Sequence, residues 1–72
     1  MFGHRFVLRY IDGFEIDLGK LSRTDAMIEA NRQIVKGRHH YIDSWTLIDM
    51  KTSVRYQLVL DKVRKHWHWV QL

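Results

Sequence analysis

Two short runs in which apolar and polar residues alternate flank the dipeptide Asp12-Gly13, and they constrain the fold of this chain more than any other feature. In the first, His4, Phe6, Leu8 and Tyr10 alternate with Arg5, Val7 and Arg9; in the second, Phe14, Ile16 and Leu18 alternate with Glu15 and Asp17. Successive side chains of a strand point to opposite faces, so each run reads as a half-buried strand, with Asp-Gly as the hairpin signal between them. Loop length decides the register. A two-residue loop would set Leu8 against Asp17 and Arg9 against Ile16, mixing polar and apolar residues on each face. A three-residue loop, Ile11-Asp12-Gly13, pairs Tyr10 with Phe14, Leu8 with Ile16 and Phe6 with Leu18, and sets Arg9 opposite Glu15. Gly13 then takes the left-handed position of a type I turn with a G1 bulge.

The next signals are helical. Ser22 is placed to cap a helix and Asp25 to sit in the favourable field of its first turn. Ala26, Met27, Ala30 and Ile34 recur at spacings of three and four, with Glu29, Arg32, Gln33 and Lys36 on the other side and Gly37 as the stop. This predicts one amphipathic helix from about Arg23 to Lys36. A second strand pair follows, Ile42 to Asp49 and Val54 to Leu60. A four-residue loop, Met50 to Ser53, sets Leu47 beside Tyr56 and Trp45 beside Leu58, and the Asp49 carboxylate closes the turn. Residues 61 to 72 read two ways. Leu60, Val63, Trp67 and Val70 have helical spacing, whereas His66 to Val70 alternate like a strand; the helical reading is preferred.

These elements define an α+β fold: an antiparallel sheet of at least four strands in the order β-β-α-β-β, one face covered by the helix, in a single domain spanning residues 1–72. At 8.8 kDa, with no cysteine and no proline, the chain is small for a self-sufficient core, so dimerisation or docking on a larger partner is expected. The absence of cysteine excludes disulfide frameworks, thiolate zinc sites, iron-sulfur clusters and a cysteine nucleophile. No window approaches the roughly 20 apolar residues of a membrane span, and the N-terminal residues lack the pattern of a signal peptide. The expected setting is cytoplasmic, without membrane contact.

The net charge is +4, and its distribution is uneven. Residues 1–36 carry six Lys/Arg against five Asp/Glu, and residues 37–72 six against three, with four of the five histidines. The stretch Lys62 to Trp69 interleaves cations with large aromatics. Such a mixture can neutralise phosphates and stack on unpaired bases, and tryptophan and arginine are also the usual anchors of protein–protein interfaces. Arg64, Lys65, His66, Trp67 and Trp69 are therefore the primary partner-binding candidates, with Arg38 and His39 secondary. Cations near the end of a helix also complement its dipole, which is the plainer account of Arg32, Lys36, Arg38, His39 and His40. For nucleic acid the candidate cations are Arg38, Arg55, Lys62, Arg64 and Lys65. His66 and His68 would share a face if extended, but a zinc site would need Asp43, Asp61 or a second chain to complete it, so no metal is expected. Asp12, Glu15 and Asp17 form a small acidic patch on the first hairpin. No Walker loop, G-x-S-x-G or G-x-G-x-x-G occurs. Neither an enzyme nor a cofactor is expected.

In size, mixed charge and strand-strand-helix-strand-strand order, the chain resembles small phage-encoded proteins that bind and inhibit a host machine. The resemblance covers architecture and no diagnostic motif, and it implies no site residue. The function expected is a small non-enzymatic binding protein that inhibits or modulates a larger protein or nucleoprotein complex. The alternative is a basic nucleic-acid-binding protein using the C-terminal Lys/Arg/Trp segment. Trp67 and Trp69, beside Val63, Val70 and Leu72, would form an apolar patch that soluble monomers seldom leave uncovered, which favours a homodimer.

Overall fold

The computed structural model describes residues 3–37 and 42–72. Strands β1 (His4–Tyr10) and β2 (Glu15–Leu21) precede helix α1 (Arg23–Lys36). A short 3-10 turn, Ile42–Ser44, then leads into β3 (Trp45–Asp49), β4 (Arg55–Asp61) and β5 (His66–Gln71). The strands form one antiparallel sheet in the order β2-β1-β3-β4-β5. The class is α+β, with the helix between β2 and β3. The order differs in detail from the strand-strand-helix-strand-strand expectation, because a 3-10 turn precedes β3 and a fifth strand follows β4.

The first hairpin keeps the three-residue loop. Tyr10 N–H donates to the Phe14 carbonyl at 2.7 Å, Gly13 has φ +97°, and Leu8–Ile16 and Arg9–Glu15 are paired. The expected pairing of Phe6 with Leu18 is corrected. A bulge shifts the register between Phe6 and Val7, so Phe6 lies opposite Gly19, whose φ of +83° takes up the extra residue. The second hairpin pairs Leu47 with Tyr56, as the apolar rows require. Residues 42–44 are not strand, since the chain turns once before entering the sheet at Trp45.

Helix α1 starts as its cap residues dictate: Ser22 Oγ accepts the Asp25 N–H at 3.1 Å. It ends with Gly37 donating to the Gln33 carbonyl, although Gly37 is extended rather than left-handed (φ −69°). Ala26, Ala30 and Ile34 are buried against Phe6, Leu8, Tyr10, Trp45, Leu47, Tyr56 and Leu58, with Met27, Ile16 and Leu18 at the border of this core. Two alanines in the buried stripe let the helix approach the sheet closely while Trp45 and Phe6 supply the volume. The helix sits chiefly over β2 and β1. The same face of β4 and β5 is therefore less covered, and this asymmetry sets up the candidate site.

Candidate partner-binding surface

The hairpin of β4 and β5 is built on Asp61. Its Oδ1 accepts the N–H groups of Val63 at 3.0 Å and Arg64 at 3.2 Å, and its carbonyl accepts the Lys65 N–H, with Lys65 left-handed at φ 57°. The preceding hairpin repeats the device: Asp49 Oδ1 accepts from Lys51 and Thr52, its carbonyl accepts from Ser53, and Ser53 has φ 64°. The N–H of Arg64 above all, and that of Val63, hold the Asp61 carboxyl below its ordinary range against the opposing effect of desolvation, helped by the charges of His66 and His68. An Asp four residues before a left-handed position is thus what makes residues 62–65 a turn. The expected helix over residues 61–72 is corrected: the turn is followed by a strand, and the alternation of His66 to Val70 was the true signal.

Strand parity then sorts the side chains. Leu60 pairs with Trp67, buried Leu58 with Trp69, and buried Tyr56 with Gln71, so both tryptophans lie on the face that carries α1. Trp69 borders the core and its Nε1–H donates to Asn31 Oδ1 of α1 at 3.1 Å. Trp67 is 38% exposed beside Leu60 at 39%. Next to Asn31 the helix surface forms a shallow groove of about 360 Å³ with Arg32, Val35 and Lys36, in which Val35 is largely exposed. The result is an aromatic shelf, Leu60–Trp67–Trp69, stepping up to α1 through the Trp69–Asn31 hydrogen bond and ending at the basic turn.

The sequence-predicted residues are not all gathered in one place. Lys62, Arg64 and Lys65 share the exposed turn, and Trp67 and Trp69 share the shelf. His66 pairs on the opposite face with His68, their ring centroids 6.1 Å apart. Cations and aromatics that interleave in the sequence are thus separated by the strand. Arg55 begins β4, at the far end of the hairpin from the turn. Arg38, His39 and His40 lie outside the described residues. Among the described residues, no group of three or more His, Asp or Glu side chains converges as metal ligands would. In the acidic patch of the first hairpin, Glu15 is matched by Arg9 at 2.6 Å and Asp17 by Arg5 at 3.3 Å, while Asp12 Oδ1 accepts the Phe14 N–H within the turn.

Two features were missed in the sequence. Asn31, the link between helix and shelf, reads as an ordinary polar residue on a helix. The other is a contact across 45 positions, His4 Nδ1 to Asp49 Oδ2 at 2.7 Å. The available signal was phase: His4 shares strand parity with Phe6 and Leu8, and Asp49 with Leu47 and Trp45, so both belong to the inner face. They line a cavity of about 440 Å³ with Ser22, Arg23, Thr52 and Tyr56. An imidazole oriented by a carboxylate can act as a general base. Here Ser22 Oγ accepts the Asp25 N–H at the helix cap and Thr52 Oγ1 that of Val54, and the His4–Asp49 pair ties β1 to the turn after β3.

No helix among the described residues is long and apolar enough to cross a membrane. Comparison of the chain with protein-family models, with curated proteins and with solved structures finds no match in any of the three.

Proposed function

We propose that this protein is a small non-enzymatic binding module, of the phage inhibitor type, that inhibits or modulates a larger protein or nucleoprotein complex through the β4–β5 hairpin and the adjoining shelf. The observation that carries this reading is the joining of Leu60 and Trp67 to a tip bearing Lys62, Arg64 and Lys65 on one hairpin. Half-exposed aromatic surface bordered by cations is the composition of an interface anchor, and it favours a partner with apolar side chains set among carboxylates. Trp69 supports the shelf from below, and Trp67 is the side chain available to the partner.

Affinity capture from the source cell tests this, using the wild type, Trp67→Ala and an Arg64→Ala, Lys65→Ala double variant, each first shown to fold. A partner held by the wild type should be lost or reduced at least about tenfold in the variants. Equal yield of the same partner from all three would remove the hairpin from the binding surface.

The clustering of Lys62, Arg64 and Lys65 on one turn also supports a second reading, direct binding of nucleic acid. With Arg55 remote, three phosphate contacts would give a log–log salt slope of roughly 2 to 3, at about 0.7 per contact on single strands and 0.9 on duplex. Titration of labelled DNA and RNA at low and physiological salt checks it, and no binding near 50 mM salt would exclude it.

A further inference from the structure

The two edges of the sheet are β2 and β5, and they are built differently. β2 is bulged at Leu18, passes through left-handed Gly19, and carries Glu15 and Asp17. Bulges and charges are the devices by which sheets blunt an edge. Strand β5, His66–Gln71, has no bulge, no glycine, no proline, no carboxylate and no lysine. Its open backbone groups follow from the ladder. Leu72 N–H donates to the Arg55 carbonyl, so these two form a hydrogen-bonded pair. Alternation then directs Val70, His68 and His66 at Gln57, Val59 and Asp61, and turns the N–H and C=O groups of Trp67, Trp69 and Gln71 outward.

We propose that a second copy of this chain occupies that edge, β5 against β5, antiparallel about a twofold axis that passes between the two copies of Trp69. A twofold perpendicular to the sheet keeps the same face upward in both copies, so only residues of like parity can stand opposite one another. Centring on Trp69 sets Trp67 against the partner's Gln71 and Trp69 against the partner's Trp69. Every outward N–H and C=O of all three residues is then hydrogen-bonded. Centring on His68 instead would draw in Lys65, whose left-handed backbone and Asp61-bound N–H take it out of the ladder. The two sheets fuse into one, both helices stand on the same side, and Trp67 and Trp69 of the two copies make a continuous apolar floor between them. The antiparallel sense sends the basic turns to opposite ends, roughly 35 Å apart at about 3.3 Å per residue, several screening lengths at physiological salt. Their like charges therefore do not oppose the pairing.

Sedimentation equilibrium across the micromolar range is the first arm, and it should give a mass rising toward twice 8.8 kDa. Gln71→Pro removes an outward N–H and leaves the bonds to β4 in place, so it should weaken association by roughly tenfold or more. A mixture of the single variants His68→Cys and Val70→Cys keeps the proposal testable if that protein folds poorly. Those positions face each other across the proposed axis, so the mixture should oxidise to a mixed dimer faster than either variant alone. A wild type that stays at the monomer mass throughout would overturn the proposal. So would a dimer indifferent to Gln71→Pro that forms no preferred mixed disulfide. Partner capture is a separate measurement, so failure here leaves the binding-module reading standing.

Discussion

Asp49 is buried, 6% exposed as a residue, and both its carboxylate oxygens are engaged: Oδ2 accepts from His4 on β1, and Oδ1 from the N–H groups of Lys51 and Thr52. Burial works to raise its pKa, but these hydrogen bonds, that of His4 foremost among them, win and hold it below the ordinary 3.8. A carboxyl whose folded pKa is depressed stabilises the fold above the unfolded value, and that contribution is lost as pH falls through the folded value. The wild type should therefore lose stability steeply below about pH 4. An Asp49→Asn variant, less stable at neutral pH, should show a shallower loss, with Asp61 supplying part of what remains. Urea midpoints from neutral pH down to about pH 2 check this, and parallel pH profiles would contradict it. Asp49→Ala, which leaves His4 and two N–H groups without their acceptor, should cost about 1–3 kcal/mol at neutral pH.

At the scale of elements, the two tryptophans of β5 differ in how far the fold encloses them. Trp69 lies opposite buried Leu58 and donates to Asn31, whereas Trp67 lies opposite half-exposed Leu60. Trp69→Ala should cost roughly 2–4 kcal/mol of stability, and Trp67→Ala less than about 1.5, in thermal or urea unfolding. Equal costs would mean that the shelf is not stepped as described. Elements whose pattern had a single period were legible in the sequence: the first hairpin, α1 with its Ser22 cap, and the Asp49 turn. β5 was not, because Leu60, Val63, Trp67 and Val70 happen to satisfy helical spacing while Val63 belongs to the turn and is almost wholly exposed. The decisive local signal was Asp61, repeating what Asp49 does twelve residues earlier. The bulge at Leu18 escaped for a different reason. An alternating pattern cannot announce an inserted residue, and only Gly19, able to adopt a positive φ, hinted at it.

For the whole molecule, the placement of α1 over β2 and β1 decides both stability and exposure. β1 is central to the part of the sheet that the helix covers: it pairs with β2 and β3, and Phe6 and Leu8 sit under Ala26, Ala30 and Ile34. The helix is too narrow to cover five strands, so Leu60 and Trp67 on the β4–β5 side remain half exposed, and the surface proposed for partner binding follows from the packing of the core. Leu8 has 0% exposure at the middle of this arrangement, between Ile16 and Leu47 across the sheet. Truncating it leaves a cavity that neighbours held by three strands cannot collapse to fill. Leu8→Ala should cost about 2–5 kcal/mol, a large share of the roughly 5–15 kcal/mol that stabilises a typical domain. The variant should unfold at a much lower denaturant concentration than the wild type. In the wild type, the amides of β1 and β3 should be the slowest to exchange with solvent, since opening them requires global unfolding. A Leu8→Ala midpoint equal to that of the wild type would place the core elsewhere and, with it, dissolve the argument for why the β4–β5 side is exposed.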